Sequence, residues 1–298
     1  MSIIPLLLAA SFTLTSPPAL EWSQVTTNAK ETISGIVHWE TNRFLVVHDN
    51  KEEKDVKLSF LQSSGSSWKL SPLTLSDPKK LTFGAQGTSE LRDLEGVTLI
   101  PGRTGEVLVI GNKGSEDGWI YDLKITGNTA EVVDAFRAPG AYPDSDFESI
   151  QAFSIDQRLI LVWADRGTAR RPATIWAANL TLGVKPVDPV ALTVKTPWPT
   201  EKDYRAIADL RVSPSGEIYV SSVSDPGDNG PFDSAIYLVG RLERSSKGPI
   251  LVPNSVQLPV SIVPGYKIEA MDFDSTGRQL VFATDDEALG ASIAWYQK

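Results

Sequence analysis

Three glutamates, Glu95, Glu148 and Glu269, stand at the same place in successive copies of one short pattern, and Ser34 and Ala208 hold that place in two further copies. In each copy an apolar strand starts at this position, and a second strand ends in an acidic or amide turn. These turns are His48-Asp49-Asn50, Gly111-Asn112-Lys113, Ala164-Asp165-Arg166, Ser224-Asp225-Pro226 and Asp285-Asp286-Glu287. The spacing from Glu95 to Asn112 recurs from Glu148 to Asp165, from Ala208 to Asp225 and from Glu269 to Asp286. Carboxylates gathered from separate copies repel one another, and they respond by keeping protons at raised pKa or by sharing a cation. With no cysteine and no clustered histidine to offer softer ligands, the ion that suits them is a hard one such as calcium, with carbonyls and water completing its shell.

Residues this far apart in the chain meet only if the elements carrying them converge on one point. The copies recur about every 60 residues, longer than most helical solenoids and near the period of a propeller blade. Within each copy the runs Glu106 to Ile110, Arg158 to Trp163, Glu217 to Ser222 and Gln279 to Thr284 are rich in Val, Ile, Leu, Phe and Tyr. Turn residues such as Ser213-Pro214-Ser215-Gly216 and Asp274-Ser275-Thr276-Gly277 precede them, so each unit reads as a hairpin. A third strand follows in copies two to five, and a more variable fourth in copies two to four. The last copy has room for three strands only, and Leu20 to Thr26, ahead of the first copy, can supply the missing outer one. The expectation is an all-β, five-bladed β-propeller closed by its N-terminal strand, a single domain over residues 20–298. A repetitive β-sandwich is the alternative. In a propeller the innermost strands line a central channel, so Ser34, Glu95, Glu148, Ala208 and Glu269 face one axis.

Residues 1–19 read as a secretory leader. The segment Ile3 to Thr13 is apolar, and Ser16-Pro17-Pro18-Ala19 offers small residues for cleavage near Ala19, although no Lys or Arg precedes it. An exported protein is expected, with a buried N-terminal strand of a cytosolic protein as the alternative. The segment is short for a membrane span, so none is expected after processing. A net charge of −9 argues against nucleic acid as a partner. Both histidines, His38 and His48, fall in the first copy, and no G-x-S-x-G elbow is present, which argues against a serine hydrolase. His48 reads as an exposed turn residue. The loop Asp225-Pro226-Gly227-Asp228-Asn229-Gly230 reads as a solvated hairpin or a peripheral calcium loop. Tryptophans such as Trp39, Trp119, Trp163, Trp176 and Trp295 are expected to pack between blades.

The series Asp93-Leu94-Glu95-Gly96-Val97, Asp146-Phe147-Glu148-Ser149-Ile150, Ala164-Asp165-Arg166-Gly167, Ala206-Ile207-Ala208-Asp209-Leu210 and Lys267-Ile268-Glu269-Ala270-Met271 resembles the phytase-like, or esterase-like, β-propeller family. The resemblance runs from Glu31 onward. The axial series is also similar to that of calcium-activated nucleotidases, five-bladed propellers whose central calcium is held by Glu and Ser side chains and water. Ser34, Glu95, Glu148 and Glu269 match that pattern, while Ala208 stands where it has a serine. The resemblance implies a calcium-dependent phosphoester hydrolase acting on a small phosphorylated substrate. Ser34, Glu95, Glu148 and Glu269 would be the metal ligands, and the three glutamates the catalytic carboxylates. Arg166, Arg170, Arg171 and Arg205 would clamp phosphate. The alternative is a non-catalytic propeller that binds a ligand or protein on one face, with a purely structural axial ion.

Overall fold

The computed structural model describes residues 20–65, 67–76, 91–112, 118–140, 142, 144–168, 170–199, 204–274 and 276–297; the leader-like segment 1–19 lies outside them. The described chain opens with a short strand, β1 (Ser23–Thr26), followed by antiparallel meanders that run outward from a common axis. The first contains β2 (Gly35–Glu40), β3 (Arg43–Val47), β4 (Leu58–Ser64) and β5 (Ser67–Pro72). Next come β6 (Thr74–Ser76) and the second meander, β7 (Leu94–Leu99), β8 (Glu106–Asn112), β9 (Gly118–Thr126) and β10 (Thr129–Arg137), whose outer edge β6 joins in parallel. The third meander is β11 (Phe147–Ile155), β12 (Arg158–Asp165), β13 (Ala173–Asn179) and β14 (Val190–Val194).

In the fourth, β15 (Tyr204–Val212) and β16 (Glu217–Ser224) lead to the long β17 (Asp233–Ser245). Two short strands share its outer edge: β18 (Gly248–Pro253) pairs with its C-terminal half and β19 (Pro259–Pro264) with its N-terminal half. The last meander has only β20 (Ile268–Phe273), β21 (Gln279–Thr284) and β22 (Ala291–Gln297), and β1 completes it through Ser23↔Ile293 and Gln24↔Ser292. The five sheets are five blades, and the N-terminal strand closes the ring. No helix among the described residues is long and apolar enough to cross a membrane.

The core is divided as a propeller requires. Five apolar clusters lie between neighbouring blades, such as Ile160, Val162 and Ile175 of the third blade against Ile207, Leu210 and Val220 of the fourth. This follows from sheets whose two faces are both covered by neighbours, so that strands such as β12 and β16 are buried on both sides along most of their length. Trp163 and Trp176 stack in parallel within the cluster between the second and third blades, whereas Trp295 sits at the rim, 36% exposed, with its ring against Phe44.

Near the axis the inner strands approach so closely that the residue after the axial position is constrained. A Cβ on Gly35 would lie 2.9 Å from the Gly96 Cα, and one on Gly96 would lie 3.0 Å from the Ile150 N and the Ser149 Cα. The recurring Gly of the first two copies is therefore a packing requirement.

The waist of the channel is filled by one buried guanidinium. Arg211, on β15, donates from Nη2 to the carbonyls of Ile36 (2.6 Å) and Val97 (3.1 Å), and from Nη1 to those of Ile150 (3.2 Å) and Leu210 (2.9 Å). Its Nε faces Asp272 at 3.5 Å. These partners come from the inner strands of all five blades.

One blade carries an unneutralised acid. On the second blade Asp122 is directly opposite Asp134, and Asp122 Oδ1 is buried without a hydrogen-bond partner. Burial, then Glu106 and Asp134, push the Asp122 carboxyl up to about 6. A group whose folded pKa is raised favours the folded state least once it ionises, so its penalty grows as pH rises from about 4 through 6. Asp122→Asn is expected to raise stability at pH 8 by on the order of 1 kcal/mol, discounted for solvent screening, and to leave it unchanged at pH 4. Thermal denaturation at the two pH values checks this.

Candidate functional site

The three axial glutamates owe their direction to local irregularities in the ladders. The pairing register of β7 with β8 shifts between Leu94 and Gly96, that of β11 with β12 between Phe147 and Ser149, and that of β20 with β21 between Ile268 and Ala270. Each shift leaves a glutamate, Glu95, Glu148 or Glu269, as the extra residue of a bulge, which re-aims its side chain. In the fourth blade the irregularity runs from Arg205 to Asp209 and contains the buried Ala208.

The acidic turns brace these strand starts. Asn112 accepts from the Phe147 N–H and donates to the Phe147 carbonyl, tying the second blade to the third. Asp165 accepts from the backbone N–H groups of Asp146 (3.0 Å) and Gly167 (2.6 Å). Asp286 accepts from the Lys267 N–H (2.8 Å) and the Thr284 hydroxyl (2.7 Å).

At the mouth above, carboxylates and cations are unevenly matched. Arg166 pairs with Asp146 and, at 3.2 Å, with Glu148. Arg205 lies 2.9 Å from Glu269 and 2.5 Å from Asp225. Lys267, itself buried, reaches Glu269 at 3.3 Å, Asp225 at 3.4 Å, and Glu287. Burial opposes the Lys267 charge, but Glu269 and Asp285 overcome it and hold the ammonium above the ordinary lysine value.

Glu95, Asp49 and Asp285 have no ion-pair partner of this kind among the described residues. Burial, followed by Glu148 and Asp49, pushes Glu95 well above the carboxylate range. Burial and then Glu269 do the same to Asp285, and burial with Glu269 and Asp93 moves Asp49 up to about 6. Glu148 is pushed up to about 8 by burial, against the pull of Arg166. The mouth thus holds protonated and ion-paired carboxyl groups side by side.

A cavity of about 610 Å³ opens beside this cluster, between the third, fourth and fifth blades. In its lining Asp144, Asp146, Asp225, Asp228 and Glu287 outnumber Arg166 and Arg205, and Tyr204 presents a partly exposed ring.

The residues expected from the sequence divide accordingly. Glu95, Glu148 and Glu269 reach the mouth, as do Arg166 and Arg205, but both arginines are engaged by carboxylates. Arg171 is turned away, held by Asp165 (2.7 Å) and Asp144 (3.0 Å) beneath the Tyr142 ring. Arg170 is exposed and does not line the cavity. Ser34 is buried, and its Oγ has no hydrogen-bond partner among the described residues. Of the four expected calcium ligands, Glu148 and Glu269 are held by cationic side chains, and no three Asp, Glu or His side chains among the described residues form a ready-made ion site.

His48 also departs from expectation. It is fully buried, with Nδ1 2.6 Å from the Thr32 carbonyl and Nε2 2.9 Å from the Ser59 hydroxyl, and burial lowers its pKa.

Lys267, Asp146, Asp93, Asp49 and Asp285 were missed as site residues. A signal for three of them was present: Asp93, Asp146 and Lys267 each precede an axial glutamate by two positions, so a charged residue recurs beside it at the start of the strand.

No protein-family model matches the chain, and no curated protein sequence matches it. Solved structures do. An α-L-arabinofuranosidase from Lactobacillus brevis is 11% identical, with 90% of this chain and 93% of that one covered at a TM-score of 0.50. An endo-arabinanase from Bacillus licheniformis is 12% identical, covering 92% and 96% at 0.52. An endo-1,4-β-xylanase from Bacteroides thetaiotaomicron is 12% identical, covering 94% and 92% at 0.52. At such identities the likeness is one of fold, and it supports the propeller without reaching the phytase-like family.

The ion pairs make a directional prediction. Lys267 and Arg205 overcome burial to hold Asp225 below the ordinary carboxylate value. A depressed folded pKa contributes stability that is present above the unfolded value, near 4, and is lost as pH falls through the folded one. Arg205→Ala is expected to cost about 3 kcal/mol at pH 7, because Glu269 and Asp225 lose a partner, and much less at pH 3. Denaturant unfolding at both pH values measures the difference.

Proposed function

We propose that the protein is a hydrolase that cleaves a glycosidic bond by carboxylate acid–base chemistry at the axial mouth. The observation that carries this reading is the separation of neighbouring carboxyl groups into two kinds: Glu95 and Glu148, pushed toward the acid form, and Glu269, set between Arg205 and Lys267. Titratable neighbours whose environments differ in this way are suited to act as acid and base on one substrate.

Glu148 gives its proton to the leaving oxygen, and Arg166, 3.2 Å away, faces the negative charge that forms on the carboxylate. Glu269 takes the proton of the water that attacks the anomeric carbon. Glu95, kept neutral, donates a hydrogen bond to a substrate hydroxyl. The Tyr204 ring offers a face to a sugar ring.

The acid excess around the cavity favours an uncharged polyhydroxylated substrate over a phosphate, whose charge it would oppose. The fold shared with an arabinofuranosidase, an arabinanase and a xylanase is compatible with this chemistry. The leader-like residues 1–19 support an exported enzyme.

One observation favours a second reading, a calcium-dependent phosphoester hydrolase. The Ser34 Oγ is buried with no hydrogen-bond partner among the described residues, which leaves it available to a bound ion.

Nitrophenyl arabinosides and xylosides, arabinan and xylan, assayed beside an aryl phosphate, nucleotides and phytate in calcium and in EDTA, separate these readings. We expect sugar release that EDTA does not change, that falls above about pH 8 as Glu148 loses its proton, and that drops about 10²- to 10⁴-fold in Glu148→Gln. In the same variant, unfolding at pH 8 is expected to be no easier than in the parent, since a raised pKa marks a carboxyl whose ionisation costs stability. Calcium-dependent phosphate release would establish the second reading, and no turnover from a folded protein would leave a binding propeller.

A further inference from the structure

The channel waist brings together an unusual set of oxygens. The Ile36, Val97, Ile150 and Leu210 carbonyls, one from each of four consecutive blades, point at one place, and the Asp272 and Asp209 carboxylates stand beside it, each 3.5 Å from the Arg211 guanidinium. Converging carbonyl and carboxylate oxygens form a site for a hard cation. Here the occupant is a side chain. The two Nη atoms of Arg211 serve the four carbonyls and its Nε faces the fifth blade, so the flat, five-donor geometry of guanidinium matches the ring. Lysine, with three donors on a point charge, cannot reproduce it.

We infer that Arg211 is the axial counter-ion of this propeller: the waist is a guanidinium-class cation site that the chain fills itself, joining the five blades as a bound metal ion would. Asp209 carries the order of this site to the mouth. It accepts from the Ser149 hydroxyl (2.5 Å) and the Leu210 N–H (2.7 Å) on one oxygen, and from the Met271 N–H (2.6 Å) on the other. Ser149 follows Glu148 directly, and Met271 lies two residues beyond Glu269 on the same strand. Arg211 and Asp209 are therefore positioning residues for both carboxylates. On the far side, Asp272 accepts from the His38 N–H at 2.7 Å and links the last blade to the first. Nothing in this inference depends on which bond the mouth cleaves, or on whether it cleaves one.

The test is chemical rescue. Arg211→Met preserves the apolar stem and abandons four buried carbonyls, so its melting temperature should fall by roughly 10 °C or more. Arg211→Ala should be destabilised similarly and should recover at least half of that loss in low-millimolar guanidinium. Urea and sodium chloride at the same concentration should give no recovery, and the parent should not respond. Arg211→Lys should recover only part of the loss. As a readout that a purely structural role would not move, the titration midpoint of Glu148 should shift in Arg211→Ala and return with guanidinium. Should that variant fail to fold, refolding yield with and without an alkylguanidinium replaces the melting curve, and a yield that depends on the additive supports the inference. It is overturned if Arg211→Met melts within about 2 °C of the parent, or if urea and salt rescue Arg211→Ala, or its refolding, as well as guanidinium does.

Discussion

Five strands that run side by side toward one axis bring main-chain carbonyls and strand-end acids into a space too narrow for water to solvate them freely. Buried polar groups in that position must find partners, or each costs on the order of 1–3 kcal/mol. The propeller meets this constraint with cationic side chains on two levels. At the waist the Arg211 guanidinium receives carbonyls from four blades and faces a carboxylate from the fifth. At the mouth Arg166 and Lys267 pair with the axial glutamates of their own blades, Glu148 and Glu269, and Arg205 reaches across from the fourth blade to Glu269. The blades supply the apolar area between them, and the axis supplies the charge balance that lets their inner edges meet.

That balance is incomplete at the mouth, and its incompleteness gives the site its chemistry. The cations sit on the third, fourth and fifth blades, so Glu148 and Glu269 are paired, while Glu95 and Asp49, on the first two blades, have no ion pair among the described residues. The unpaired groups hold protons because burial and like charges disfavour ionisation, and burial does the same to Glu148 against the pull of Arg166. One narrow opening therefore offers proton donors and an ion-paired acceptor together, next to a cavity whose acid-rich wall would repel an anionic substrate. The Arg205–Glu269 pair also bridges the fourth and fifth blades, so charge pairing and blade geometry constrain each other.

The repeat, the blade count and the closure by the N-terminal strand were legible in the sequence, because each follows from spacing and from the apolar pattern of the strands. So were Glu95, Glu148 and Glu269, which the repeat places in register. Their bulges were not, since a one-residue slip in pairing leaves no mark in composition. The acidic turns were visible as a motif, but their work as braces for strand starts, as with Asp165 and Asp286, depends on backbone N–H groups brought near by folding. Arg211 was hidden most fully. It lies in the run Ala208-Asp209-Leu210-Arg211-Val212, and most of its partners are carbonyls, which every residue carries. Lys267, which reaches Glu269 beside Arg205, was within reach through its two-residue spacing from that glutamate.

Titration of the glutamate carboxyl carbons by NMR, with signals assigned through Glu95→Gln and Glu148→Gln, addresses the central claim of a mouth divided between proton-holding and ion-paired carboxyl groups. The account predicts that Glu95 and Glu148 remain protonated through neutral pH, with Glu148 titrating at about 8. Titration of both within the ordinary glutamate range, near 4 to 5, would contradict it.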